Sequence, residues 1–353
     1  MAKLNEGDVL EGIFTIGIGL YLADGKIDKA KLNKVRTQID PKIFATGKVK
    51  HELVKDLMRC KPGKPPDFFN VNIEMRLKAE STSMAYGGEY AILYKSSKDI
   101  GNIDKKIDQL ITHMHGSNFT QRIKSAVDYF LDNNVGEIVT FNVIADGIAG
   151  ESTGGAVKGD VTLEVYATRK GSTKKIISGA LPFSIKSESV TVANLSPYKG
   201  MLAIANSMNI KWDAEIKYAR LTKPFKGDTE QAAKFKMIES LYQDLKNEIK
   251  KKAAANPLQF TKNAMEFFSI SVFGIDLADV IDIKQSGIKE ITVEYFEKLK
   301  KNVVLTVEER GLNLVFIDIK TNSPIFQIRT KLRPPPANEA KFYLEAGKGV
   351  YVK

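Results

Sequence analysis

The apolar positions of this chain fall into helical and strand-like patterns that alternate along its 353 residues. Residues 6–23, EGDVLEGIFTIGIGLYLA, are apolar on nearly every side after an acidic start. That predicts a helix buried all round, with Asn5 as its cap and Glu6 and Asp8 in the first turn, where the helix dipole favours acids. Residues 28–37 and 48–59 also read as helical, and the Pro/Gly-rich CKPGKPPDFFN at 60–70 interrupts them. Alternation predicts strands at 70–80 and 89–95, joined around the turn at 86–88. Two helices follow at about 104–114 and 119–133, the second carrying Phe119, Ile123, Val127 and Phe130 near helical spacing.

Residues 136–189 then read as a strand at 136–146, a Gly-rich loop and a β-hairpin. The first arm, VTLEVYAT, follows Asp160; the turn RKGST centres near Gly171; the return arm is KKIISGALPFSIK. A helix at about 197–208 begins after Ser196, with Pro197 in its first turn. A long helix over 228–254 places Phe235, Ile238, Leu241 and Leu245 on one stripe, with acids early and lysines late, and another helix covers 257–270. From about 302 the pattern is mostly β, with the prolines at 334–336 as a rigid connector. The order predicts an α+β chain with an α/β core: a mixed central β-sheet flanked by helices, followed by a helical and β-rich C-terminal extension. The expected division is 1–221 as the core, with helical and β insertions at 25–135, and 222–353 as an extension that either stands apart or completes the same domain.

Composition narrows the function classes. Hydrophobic residues make up 43% and charged residues 27% of the chain, as in a globular protein with a sizeable core. No apolar run has the length that a bilayer span needs, and residues 12–23, the nearest approach, follow acids where a signal peptide has basic residues. A cytoplasmic location and no membrane partner are the expectation. The single cysteine, Cys60, excludes an intrachain disulfide. His113 and His115 diverge on a helix and have no Cys- or His-rich partner segment, which argues against zinc. Lys and Arg total 53 against 42 acids, a net charge of +11. That excess favours a polyanionic partner, because neutralising phosphates releases counterions.

The hairpin carries the candidate chemistry. Counting outward from Gly171, Asp160 lies about eleven residues back and Ser184 about thirteen forward, so both reach the same end of the hairpin. Gly179 and Pro182 invite a bulge, which leaves the register open by one or two residues. Ser184 and Lys186 share a face by alternation, and Asp160 is expected on that face too.

This segment resembles the PD-(D/E)XK superfamily of restriction-endonuclease-like nucleases. Lys158-Gly159-Asp160-Val161 matches the position of the family's metal-binding aspartate, and Phe183-Ser184-Ile185-Lys186 matches its (D/E)-x-K arm. Glu11 matches a glutamate that many members bring from the first helix. The resemblance covers residues 135–210 and the first helix. It implies a restriction-endonuclease-like core and Mg²⁺-dependent hydrolysis of DNA, with Mn²⁺ able to substitute and a homodimer as the cutting form. Asp160, Glu11 and the carbonyl of Ile185 would be metal ligands, and Lys186 would stabilise the transition state. The chain departs from the pattern at Ser184, where an acid is usual; Glu188 is the expected substitute for the missing charge. A nuclease-like protein that binds DNA without cutting, as in a virion or packaging component, is the alternative. Asp318-Ile319-Lys320 is the strongest rival string, while Asp282-Ile283-Lys284 has no expected acid-bearing partner strand. Trp212, Tyr198 and Phe183 are candidate base-stacking residues, and Arg329 and Arg333 candidate phosphate contacts, each also readable as core or solvated surface.

Overall fold

The computed structural model describes residues 6–24, 27, 29–30, 49–50, 68–76, 100–132, 138–146, 158–168, 175–187, 191–195, 197–212, 227–284, 286–333 and 339–352. The fold is α+β. Two compact units emerge, Met1–Glu188 with Gly274–Glu290, and Ser189–Phe273 with Ile291–Lys353. The opening segment of the first unit ends at 188 rather than at 221, because residues 191–195 pair into the other unit's sheet, and residues 274–290 join the first unit because the strand at 279–284 pairs with its sheet.

The strands of the first unit are β1 (Val49–Lys50), β2 (Phe68–Arg76), β3 (Ile138–Asp146), β4 (Val161–Thr168), β5 (Lys175–Ser187), β7 (Asp279–Lys284) and β8 (Gly287–Ile291). They form one sheet of order β1-β2-β3-β4-β5-β7-β8. Strands β2 and β3 are parallel, β3, β4 and β5 form an antiparallel meander, and β7 adds parallel to β5. Helices α1 (Glu6–Asp24), α2 (Ile100–His115) and α3 (Ser117–Asp132) accompany the sheet. Their apolar residues Phe14, Ile107, Leu110, Phe119 and Ile123 form one core with Val143, Val161, Leu163, Phe183, Ile185 and Ile281 of the strands. Phe14 meets Phe183 edge-on at 5.1 Å and Phe119 at 5.4 Å. As its composition predicts, α1 is buried continuously from Leu10 to Gly19.

One irregularity fixes the register of the hairpin. From Val161↔Phe183 to Val165↔Gly179 the β4 and β5 partners keep one register, and beyond it Tyr166 pairs with Ile177. Ser178 is therefore an extra residue on β5, a bulge beside the glycine that invites it. Without it, β5 would slide by one residue and present its other face alongside the start of β4.

The strands of the second unit are β6 (Thr191–Leu195), β9 (Leu305–Arg310), β10 (Asn313–Asp318), β11 (Ser323–Arg333) and β12 (Glu339–Ala346). They form an antiparallel sheet of order β6-β12-β11-β10-β9. Four helices belong to this unit: α4 (Pro197–Ser207), α5 (Gly227–Ala255), α6 (Pro257–Phe273) and α7 (Val293–Asn302). On α5 the predicted stripe of Phe235, Ile238, Leu241 and Leu245 is buried. A stack of rings ties α6 to the sheet, with Phe268 4.7 Å from Phe326 and Phe326 4.1 Å from Phe316.

Some expectations change. Within the helix expected at 48–59, Val49 and Lys50 form a strand paired with Met75 and Glu74; the remaining residues lie outside the described ones, as do nearly all of 28–37, 89–95 and 334–336. Strands β6, β7 and β8, at five or six residues, are too short to be read from pattern alone, whereas α7 was legible from its Thr292 cap, Glu294 in the first turn and Lys300 and Lys301 in the last.

Candidate functional site

Asp160 stands immediately before β4, where the hairpin ladder ends, and its N–H donates to the Phe183 carbonyl at 2.8 Å. Its carboxylate then takes the place of a ladder partner. Three donors from β5 converge on Oδ2: the Ile185 N–H at 2.8 Å, the Ser184 hydroxyl at 3.1 Å and the Lys186 ammonium at 3.1 Å. Asp160, Ser184 and Lys186 are thus brought together, as the residue count either side of Gly171 predicts. Ser184 is fully buried, whereas the side chains of Asp160 and Lys186 keep 24% and 28% of their exposure. The pair is open to solvent on one side and tied to the sheet on the other.

The lead-in to β4 is fixed by a segment that no local pattern connects to it. The carboxylate of Asp276, in the turn before β7, accepts the N–H of Lys158 at 2.9 Å and of Gly159 at 2.7 Å. Gly159 is needed for this approach, since a Cβ there would lie 2.8 Å from Asp276 Oδ2 and 2.9 Å from Pro182 Cβ. Lys158, two residues before Asp160, joins the same electrostatic group. Burial and then the positive charge of Lys186 push its ammonium below the ordinary lysine range, against the pull of Asp160 and Asp276. Lys158, Lys186, Asp160 and Asp276 together form a charge-balanced group of two lysines and two carboxylates.

Strand β7 adds a further pair. Asp282 is in register with Lys186 across the parallel β5–β7 ladder and shares its sheet face. It is buried and ion-paired with Lys284 at 3.1 Å. The Asp282-Ile283-Lys284 string lies beside β5, which carries no acid, a pairing that the intervening helices conceal in the sequence.

Glu11 does not share this face. Phe14 packs against Phe183, and Phe183 and Ser184 are strand neighbours that point to opposite sides, so α1 covers the face away from Ser184 and Lys186. The acid of α1 that reaches the end of β5 is Glu6. It pairs with buried Lys106 and accepts from Ser187, and Lys106 also lies 3.0 Å from Ser187. Glu188, the expected substitute acid, lies outside the described residues.

A divalent cation needs several oxygen ligands carrying negative charge. Near Asp160 the carboxylates of the described residues are already engaged, Asp160 with Lys186, Asp276 with two backbone N–H groups and Asp282 with Lys284, and beside them stand a serine hydroxyl that donates to Asp160 and a second lysine. Among the described residues no group of three or more His, Cys, Asp or Glu could hold a metal. The described donor set does not by itself fit Mg²⁺.

Other candidates resolve into structural parts. Asp318 accepts the N–H groups of Val304, Lys320 and Thr321 and the Thr321 hydroxyl. Burial would raise its carboxyl, but those hydrogen bonds hold it below the usual range, so the rival string is a turn closure. Phe183 is a core ring with no exposure. Arg329 bonds Glu345 and lies 4.5 Å from the Tyr343 ring centroid. His113 Nε2 lies 2.7 Å from Glu290, which also takes a two-pronged contact from Arg122 at 3.0 and 3.3 Å.

Comparison with known proteins gives no matching family model, no similar curated protein and no similar solved structure. Among the described residues no helix is long and apolar enough to cross a membrane.

Proposed function

We propose that the first unit acts on the phosphodiester backbone of DNA at the Asp160–Ser184–Lys186 site, as an endonuclease of the restriction-like kind. The observation that carries this reading is the 3.1 Å meeting of Lys186 with Asp160, an acid at the start of one hairpin arm and a lysine at the end of the other. The chain order supports it: within the first unit a buried helix precedes a strand and the hairpin, and β7 later returns parallel to the lysine-bearing arm. The net charge of +11 supports a polyanionic partner. In this reading Lys186 engages a phosphoryl oxygen and offsets the negative charge that grows there during attack. Asp160 orients Lys186, and Lys158 supplies a second cation. The divalent ion that the resemblance implies needs carboxylates beyond the described set, and Glu188, directly after β5, is the nearest in sequence.

A second reading, DNA binding without cleavage, has its own support. Ser184 stands where an acid would hold a cation, and its hydroxyl is spent on Asp160. One experiment separates the two. Supercoiled plasmid is incubated with the protein in Mg²⁺, Mn²⁺ or EDTA, alongside Asp160→Ala and Lys186→Ala. Metal-dependent nicking that falls ~100-fold or more in both variants is the endonuclease result. Binding without nicking, weakened by Lys186→Ala, supports the second reading. A protein that neither binds nor cuts DNA overturns both.

A further inference from the structure

A cleft of about 390 Å³ lies within the second unit, between the end of α4 and the last turns of α5. Glu248, Lys251, Lys252 and Ala255 line it from α5, at the i, i+3, i+4 and i+7 spacing that puts them on one helix face. The rest of the lining is the turn that follows α4. There Asn209 takes a φ of +53°, its N–H donates to the Asn206 carbonyl at 3.0 Å, and the Ile210 N–H donates to the Ala205 carbonyl at 2.8 Å. These two bonds make a Schellman cap with an asparagine in the left-handed position. Ile210 keeps only 8% of its exposure, so the cap is anchored in the core and fixes where the chain enters Lys211, at the cleft.

Three ammonium groups and one carboxylate line the cleft, a net charge of +2. Glu248 is engaged with Lys251 at 2.7 Å, while among the described residues the ammonium groups of Lys211 and Lys252 have no acidic partner. The partial negative ends of α4 and α5, about half a charge each, reduce this surplus without reversing it. We infer that the cleft binds the phosphate group of a small phosphate monoester. Such a group carries about −1.5 to −2 charges at neutral pH, which two unpaired lysines match. Small-molecule sites occupy roughly 300–1,000 Å³, so this cleft also has room for the esterified part, beside Ile210 and Ala255. None of these residues belongs to the first unit, so the cleft is independent of the DNA reading above.

Trp212, the chain's one tryptophan, directly follows Lys211 and serves as a reporter. The full chain is titrated with phenyl phosphate, with inorganic phosphate and with sodium chloride at matched ionic strength. Trp212 emission and isothermal titration calorimetry both follow binding. Phenyl phosphate is expected to bind saturably, severalfold more tightly than inorganic phosphate, and chloride to give no saturable signal. Lys211→Ala/Lys252→Ala is expected to weaken phenyl phosphate binding about tenfold or more, the scale of one charge-assisted contact. Neither lysine is buried, so the variant retains the fold. Glu248→Gln is expected to tighten binding severalfold, because the lining loses its one carboxylate. No heat and no emission change beyond that of chloride, or binding that the double-lysine variant keeps, overturns the site. Duplex DNA that displaces phenyl phosphate at a lower phosphate concentration, with the same dependence on Lys211 and Lys252, overturns the small-ligand assignment.

Discussion

Single residues decide how firmly the hairpin site is held. Gly159 has no room for a side chain, because the Asp276 carboxylate and Pro182 occupy the space a Cβ would take. Gly159→Ala is expected to cost about 1–3 kcal/mol, since core positions that cannot accommodate added volume respond on this scale. Thermal unfolding would measure it, and an unchanged melting temperature would mean that the Asp276 contact is dispensable. A second residue-scale expectation concerns the other unit. Lys246 is almost wholly buried, and its partner Glu309, which Lys250 also contacts at 2.7 Å, keeps 27% of its side-chain exposure. Hydrogen bonds from Lys246 and Lys250 bring the Glu309 carboxyl down to about 2. A depressed folded-state value stabilises above the ordinary carboxylate value and loses that stabilisation as pH falls through the folded one. Acid denaturation between pH 4.5 and about 2 is therefore expected to lose a component in Glu309→Gln. At neutral pH that variant is expected to be less stable by roughly 2–3 kcal/mol, below the ~3–5 kcal/mol for orphaning a fully buried charge, because the glutamate itself faces water.

At the scale of elements, the bulge at Ser178 and the placing of α1 matter most. The bulge sets which face of β5 meets the start of β4. Deleting Ser178 is expected to slip the end of the hairpin by one residue and separate Lys186 from Asp160. The check is whether Lys186→Ala still alters DNA affinity in that background; if it does, the register survives the deletion. Helix α1 is joined to α2 and β5 through Glu6, Lys106 and Ser187. Because Lys106 keeps only 1% of its side-chain exposure, Glu6→Gln removes a carboxylate from beside a buried ammonium, an expected loss of about 3 kcal/mol. Chemical denaturation would detect it, and a loss under about 1 kcal/mol would show that Lys106 finds another acceptor.

At the scale of the whole molecule, the surplus of 53 basic over 42 acidic residues has a measurable consequence for the DNA reading. Neutralising roughly four phosphates predicts that affinity falls about 100-fold between about 50 and 200 mM salt. Affinity that stays flat over that range would make the surplus a means of solvation alone.

Much of the architecture was legible in the chain. The all-round apolar run at 10–19 demanded burial on every side, the Phe235–Leu245 stripe demanded one buried face, and the counts either side of Gly171 brought Asp160 and Lys186 to one end of a hairpin. These are local periodicities, carried by the nearest neighbours of each residue. What local pattern could not carry was long-range. That Asp276 holds residues about 117 positions earlier, that Asp282 lies across from Lys186, and that α1 turns its aromatic face to Phe183 are decided by strand pairing and side-chain packing between distant segments. The sequence by itself determined helices α1 to α6, the hairpin and the charge. Only the tertiary structure decided which acids stand beside the lysine, because a one-residue bulge and a returning strand move whole side-chain faces without altering any local period.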